Sequence, residues 1–255
     1  MKLFKEKNAK PQYMESRRSS GISGIVMFAV IVIAAIFVMS ISFRVKDIRV
    51  SGNEHYTDSE IINAIDIEEG DNLFFFDRFA AISRVFAKLP YVEEVSVTRN
   101  LPDRVVIHVR ESKAIGFIKM GTELWTLDHN CKVLGKAAEG EEETLIQIDG
   151  LQPGTMFINE PLTLTEGGDR TLDYLKTVLN EIQGRNMTEH IKKLDFTNAN
   201  AVEMYYDNLY TIDLGDPYGT DHKFGMIVSA ISQLLPGDTG YIDVTDAATV
   251  HFIPY

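Results

Sequence analysis

The chain has 255 residues and a formal net charge of −12, but its charge is distributed unevenly. The first 20 residues carry six basic and two acidic side chains, and residues 19–43 carry no charge. The remainder carries 19 basic and 35 acidic side chains, a net charge of −16. This acidity excludes nucleic-acid binding, which needs a basic surface, and it excludes a polybasic module for membrane surfaces.

The uncharged run predicts a transmembrane helix over residues 22–43, because about 20 apolar residues cross a bilayer as a helix. The basic residues before it form a tail, residues 1–21, which the positive-inside rule places in the cytoplasm. The remainder would then lie outside the cell membrane. A cleaved signal peptide is the competing interpretation, since Ser40 and Ser42 are small residues spaced like a cleavage site. Both the basic region and the apolar run exceed the usual lengths for a signal peptide.

Cys131 is the single cysteine of the chain, so no intramolecular disulfide can form. The roughly 210 residues after the span are enough for one or two domains with their own cores. We expect Cys131 to be a small, half-buried packing residue.

The first unit after the span reads β-α-α-β-β. Alternating residues predict a strand at 45–51, followed by a capping box at Thr57 and Glu60 that begins a helix. Asp77 is expected to cap a second helix. Two alternating strands follow, over 94–98 and 105–110, and the whole predicts two helices on one face of a three-stranded sheet. The buried face of the second helix is predicted from its apolar spacing to be Phe79, Ile82, Phe86 and Leu89.

The second unit combines short strands with two amphipathic helices. Its pattern predicts an α+β domain dominated by an antiparallel sheet. We expect helices at 169–183 and 223–235, and strands at 117–120, 123–128, 132–134, 191–196, 201–206, 209–214, 241–244 and 249–253.

The ordered motifs resemble those of the FtsQ/DivIB cell-division proteins. After the basic tail and the span, the chain reads VKDIRVSGN and LPYVEEVSVTRNLPDRVVIHVRES in the first unit. The second unit reads LWTLDHNCKVL, IDGL, LYTIDLGD, HKF, GYIDV and TVHFIP in that order. The resemblance covers nearly the whole chain. One departure is Asn130-Cys131, which stands where the family usually has a glycine.

The resemblance implies an α+β protein with a POTRA domain at 44–112 and an FtsQ/DivIB-type β domain at 113–255. It implies a non-enzymatic scaffold of the division septum that binds FtsB/DivIC-like and FtsL-like partners and links them to septal peptidoglycan synthesis. The implied location is a bacterial cell membrane, with a single pass, a cytoplasmic N-terminus and an extracytoplasmic C-terminus.

The residues themselves show no constellation for catalysis. No GxSxG, HExxH, P-loop or GxGxxG motif is present, and the six histidines lack the spacing of metal ligands. We therefore expect no enzyme activity, no cofactor, no metal and no small-molecule substrate.

The C-terminal strands are the candidate interaction site. Residues 249–253 have high β propensity and no charge, and such an edge is either covered by its own chain or kept for a partner. The resemblance favours the second case, because FtsQ-like β domains receive a strand of the FtsB/DivIC partner beside the last strand. We expect His251→Pro to remove an amide donor that this partner needs. The predicted partner-binding residues are Tyr241, Ile242, Asp243, Val244, Thr249, Val250, His251 and Phe252.

Two other functions compete with this one. A POTRA-type chaperone of protein export or outer-membrane assembly would need a long series of barrel strands after the POTRA domain. A membrane-anchored cell-wall hydrolase would need a clustered nucleophile and base.

Overall fold

The computed structural model describes residues 20–165, 168–246 and 248–255. The basic tail lies outside the described residues except at its last two positions. The chain enters as helix α1, Ser20–Ser42. In the described part of the chain, α1 is the one helix long and apolar enough to cross a membrane, and its apolar stretch over Ser23–Ser42 has no cover from the protein. It therefore fits a membrane anchor.

The first domain has the predicted β-α-α-β-β order. Its elements are β1 (Asp47–Ser51), α2 (Asp58–Ile65), α3 (Arg78–Lys88), β2 (Val92–Asn100) and β3 (Arg104–Glu111). The strands form a sheet in the order β1-β3-β2. Strand β3 pairs parallel with β1 and antiparallel with β2.

Both helices of this domain begin where the sequence predicted. The Thr57 hydroxyl accepts from the Glu60 amide at 3.3 Å, and the Glu60 carboxylate accepts from the Thr57 amide at 2.8 Å. Asp77 accepts from the amides of Phe79 and Ala80. These bonds satisfy amides that have no partner within the first helical turn.

The predicted buried face of α3 is confirmed in half of its residues: Leu89 is buried and Ile82 packs against the core, but the two phenylalanines do not. Phe79 is 72% exposed and Phe86 is also exposed, whereas Ala81 and Val85 are fully buried. Small side chains let the helix axis approach its neighbours closely, and the two phenylalanines then lie at the rim of the contact. Apolar spacing alone does not show this difference, because both sets of residues recur at helical intervals.

The second domain contains a nine-stranded sheet and two helices. The strands are β4 (Gly116–Met120), β5 (Glu123–Leu127), β6 (Val133–Lys136), β7 (Ile146–Asp149), β8 (Ile191–Asp195), β9 (Val202–Tyr206), β10 (Tyr210–Gly215), β11 (Gly240–Asp243) and β12 (His251–Pro254). The helices are α4 (Gly168–Gly184) and α5 (Thr220–Ile231). The strand order is β12-β11-β10-β9-β8-β7-β4-β5-β6.

The structure confirms the α+β class and refines the sheet from antiparallel to mixed. Strands β4 and β7, β7 and β8, and β10 and β11 pair in parallel. Parallel neighbours need a long crossover, and α4 and α5 supply two of the three. The core therefore lies between the sheet and these helices, with Leu175, Leu179 and Phe224 among its fully buried residues.

A buried carboxylate lies where the two domains meet. Asp128, in the turn between β5 and β6, is 1% exposed. It accepts from the amides of Asn130 and Lys132 and from the hydroxyl of Ser112, the last residue of the first domain. Lys132 in turn donates from its ammonium to the Val92 carbonyl of β2. The turn thus binds both domains through hydrogen bonds.

Cys131 belongs to the same turn and packs in the core as predicted, but it is fully buried, whereas the sequence suggested half-burial. Burial raises the pKa of its thiol to about 12, so the thiol stays protonated and unreactive. Its φ of 60° is left-handed, which explains why a glycine would suit this position.

Lys223 is the one buried basic residue in the described part of the chain. It lies in α5, and its ammonium donates to the carbonyls of Leu214 at 2.8 Å and Asp216 at 2.9 Å. The Asp216 carboxylate lies 3.4 Å away. Lys223 therefore links α5 by hydrogen bonds to the end of β10 and the segment that follows it.

We predict that Lys223→Met lowers the free energy of unfolding by about 3 kcal/mol, because two carbonyls lose their donor in a buried place. Urea unfolding of the full chain in detergent, followed by the fluorescence of Trp125, measures this change. The exposed Lys119→Met is the matched control, with an expected effect within about 0.5 kcal/mol. Equal losses in both variants would contradict the assigned role of Lys223.

Candidate partner-binding edge

Strand β11 is enclosed by its neighbours. Ile242 pairs with Ile212 of β10 on one side and with Phe252 of β12 on the other. Ile242 and Val244 are fully buried in the core. Their side chains therefore offer no surface to another chain and instead support the strand that lies outside them.

Tyr241 and Asp243 point to the face opposite the helices and are bonded within the protein. The Tyr241 hydroxyl donates to Asp213 at 2.8 Å, and burial together with this carboxylate raises the pKa of Tyr241. Asp243 accepts from the amide and the hydroxyl of Thr245, and these bonds lower the pKa of its carboxyl. Both side chains thus have fixed positions beside β12.

The two edges of the sheet differ in how they are covered. At β6, Val133 exchanges hydrogen bonds with the segment that follows Ile158: Asn159 donates to the Val133 carbonyl and Val133 donates to the Glu160 carbonyl. Leu162 continues this pairing with the carbonyl of Cys131. The chain itself therefore protects this edge. No segment among the described residues pairs with the outer side of β12, which we call the terminal edge.

The direction of each amide in β12 follows from its pairing. Tyr255 donates to the Thr239 carbonyl at 3.0 Å, so the amide of Tyr255 points toward β11. Amides alternate along an antiparallel strand, and those of His251 and Ile253 therefore also point inward. Phe252 and Pro254 turn their backbone groups outward. The expectation that His251 supplies the outward donor is thus wrong by one residue.

Pro254 has no amide hydrogen, and it occupies a position where none is needed for the sheet. The terminal edge of β12 consequently presents one amide, that of Phe252, and the carbonyls of Phe252 and Pro254. A strand that pairs here must match this pattern of one donor and two acceptors.

The side chains of β12 divide between two faces. Phe252 packs inward against Gly240 and meets the Tyr210 ring edge to face, with the ring centroids 6.3 Å apart. His251, Ile253 and Tyr255 lie on the exposed face, where Ile253 is 57% and Tyr255 76% exposed. Ile253 and Tyr255 were not among the predicted partner-binding residues, although their alternation with Phe252 is visible in the sequence.

Thr249 and Val250 precede β12. Thr249 donates its amide to the Asp246 carbonyl and its hydroxyl to the Asp246 carboxylate, so it closes the turn before the strand. Val250 is partly buried and packs against the core. The eight predicted residues therefore lie together at one corner of the sheet, but only part of them reaches its surface.

A row of carboxylates crosses the sheet on the face that carries Tyr241. The pairing registers align Asp243 with Asp213, Asp213 with Glu203, Glu203 with Asp195, and Asp195 with Asp149. Lys193 bridges the last two at 3.2 and 3.0 Å. This acidic row begins beside His251 and was not predicted, because it appears only when the registers of five strands are known.

Gly240 permits β12 to lie close to β11. A Cβ placed on Gly240 would come within 2.5 Å of both the Ile253 carbonyl and the Phe252 ring. We predict that Gly240→Ala loosens β12 and speeds hydrogen exchange of the Ile253 and Tyr255 amides at least tenfold. Gly135→Ala in β6, where the added Cβ meets nothing, is the control and leaves those amides unchanged. Unchanged exchange in Gly240→Ala would contradict this packing.

Comparison with known proteins agrees with this architecture. Residues 43–112 match the family described as POTRA domain, FtsQ-type. The chain is 25% identical to the cell division protein DivIB of Clostridium tetani over 80% of its own length and 76% of that protein. It is 26% identical to DivIB of Clostridium acetobutylicum over 80% of each chain. The FtsQ protein of Geotalea daltonii is 29% identical over 68% of this chain and 57% of its own. Residues 43–112 thus form an FtsQ-type POTRA domain, and across both domains the chain is similar to the DivIB and FtsQ cell division proteins.

Proposed function

We propose that this protein is a non-enzymatic scaffold of the divisome that captures a strand of an FtsB/DivIC-like partner at the terminal edge. The observation that carries the proposal is the contrast between the two sheet edges. The chain covers β6 with residues 159–162 but leaves β12 uncovered among the described residues. Natural proteins protect exposed edges unless the edge is used for pairing.

The membrane topology forms part of the same proposal. The basic tail places the N-terminus in the cytoplasm by the positive-inside rule, and both domains then lie outside the cell membrane. At the division septum, an FtsL-like partner would join the complex, and the assembly would link these single-span proteins to septal peptidoglycan synthesis. In this proposal the domain at residues 44–112 lies on the membrane side, and the domain at residues 113–255 captures the partner.

The exposed groups of the terminal edge predict which properties the partner strand must have. Such a strand accepts from the Phe252 amide and donates to the carbonyls of Phe252 and Pro254. Ile253 and Tyr255 provide apolar contact on the exposed face. The acidic row begins beside them at Asp243, so a basic side chain next to the apolar ones gives the partner complementary charge.

The eight predicted residues acquire two roles in this proposal. Val250, His251 and Phe252 contribute to the pairing edge, with Thr249 closing the turn before them. Tyr241, Ile242, Asp243 and Val244 hold that edge in position from β11. Ile253 and Tyr255 join the contact set because they are the exposed side chains of the edge strand.

We predict that Ile253→Glu weakens binding of the FtsB/DivIC-like partner at least tenfold, because it places a negative charge in the apolar contact beside the acidic row. Pulldown with the purified full chain in detergent measures this. Leu235→Glu is the matched control, since Leu235 is an exposed leucine beyond the end of α5, and it should bind like the wild type. Equal binding of the partner by both variants would show that the terminal edge is not part of the interface.

Strand addition also predicts a specific change in hydrogen exchange. The outward amide of Phe252 exchanges quickly in the free protein and becomes protected in the complex, because it donates to the added strand. The inward amides of Ile253 and Tyr255 serve as the internal reference. Binding without protection of Phe252 would indicate contact through the sheet face and would rule out pairing at this edge.

A further inference from the structure

Three exposed aromatic side chains follow one another closely in the chain of the first domain, from the turn before α3 to its first turn. We call Phe74, Phe75 and Phe79 the aromatic patch. Phe75 is 63% and Phe79 72% exposed, and Phe74 is also at the surface. Large apolar side chains exposed in one place indicate contact with another apolar phase or protein. The terminal edge does not involve them.

The aromatic patch is joined to the end of the apolar helix. Asn72, two residues before Phe74, donates from its side-chain amide to the carbonyls of Met39 at 3.0 Å and Ser40 at 3.1 Å. The last carbonyls of a helix have no partner within it, so Asn72 satisfies two of them. The Leu73 amide donates to the Phe43 carbonyl, and the Phe43 and Phe74 rings meet edge to face at 5.1 Å.

These bonds fix the level of the patch relative to the bilayer. Met39 lies three residues before the end of α1 at Ser42, which corresponds to about 4.5 Å along the helix axis. Asn72 therefore reaches past the end of α1 to carbonyls that belong to the apolar span. The segment that carries the aromatic patch lies at the level where the span leaves the hydrocarbon.

The charges around the patch suit lipid head groups. The guanidinium of Arg78 lies 5.2 Å from the centre of the Phe79 ring, and that of Arg99 lies 4.7 Å from the Phe76 ring. The Asp77 carboxylate caps α3 through the amides of Phe79 and Ala80 and is engaged there. Arg78 beside the exposed Phe79 ring combines apolar insertion with attraction to phosphate, and Arg99 adds a second positive charge nearby.

We propose that the aromatic patch inserts into the phospholipid interface next to the C-terminal end of α1. The protein then contacts the membrane at two places, the span and the patch, and the first domain is held against the bilayer in one orientation. A flexible tether would leave that orientation free. This inference needs α1 in a membrane but does not depend on the partner that the terminal edge binds.

The test uses the full chain in phosphatidylglycerol and phosphatidylethanolamine vesicles whose acyl chains carry bromine, a quencher of tryptophan fluorescence. Phe75→Trp is made in a Trp125→Phe background, so that position 75 holds the single fluorophore. Tyr218→Trp in the same background is the matched control, because Tyr218 is 80% exposed in the second domain. We expect brominated lipid to reduce the emission of Phe75→Trp at least twofold and to leave Tyr218→Trp unchanged.

Phe79→Trp is a second reporter and keeps the test decisive if one substitution disturbs folding. Vesicles with only this protein exclude any partner, so a patch reserved for another protein's helix would show no quenching. Absence of quenching for both Phe75→Trp and Phe79→Trp would overturn the inference. Quenching of Tyr218→Trp to the same degree would also overturn it, since the second domain would then lie on the lipid without selectivity.

Discussion

The arrangement of the two domains depends on the burial of the Asp128 carboxylate. A charge removed from water is costly unless hydrogen bonds replace its hydration, and here two backbone amides and the Ser112 hydroxyl do so. Ser112 can donate only if the end of the first domain lies against the turn between β5 and β6. The same carboxylate therefore shapes a turn and fixes a domain boundary. Lys132 adds a second bond across that boundary, to the Val92 carbonyl.

The junction gives the molecule a defined direction. The edge at β6 faces the first domain, where Asn159 also donates to the Phe86 carbonyl. Strand β12 is the last strand at the opposite end of the same sheet. The nine-stranded sheet thus separates the first domain from the uncovered edge at β12. The acidic row extends from that edge across five strands, so the edge and its electrostatic surroundings form one continuous surface.

Much of the fold could be predicted from local sequence. The caps at Thr57 and Asp77 and the alternation in β2 and β3 depend only on nearby residues, and the structure confirms them. The hairpin between β9 and β10 turns at Asp207 and Asn208, both with positive φ, which is also a local property. Residues that act locally leave a signal that periodicity and turn chemistry can detect.

Long-range features were harder to predict. The parallel pairs could have been suspected from the helices that connect their strands, but the strand order depends on packing across the whole domain. The buried face of α3 depends on how closely Ala81 approaches its neighbours. The outward amide of β12 depends on register, and a shift of one residue exchanges Phe252 for His251. The candidate edge could be proposed from the sequence, whereas the backbone groups that point outward from it could not.

The position of β12 has a geometric consequence for assembly. Eight strand spacings separate it from β6, and at about 4.8 Å each they total about 38 Å along the sheet. The sheet thus sets the distance between the junction with the first domain and the proposed pairing edge. A helix of about 25 residues covers the same distance. Under the proposed function, the width of the sheet therefore adds a requirement on the length of a partner's stalk to the requirement on the strand that it delivers.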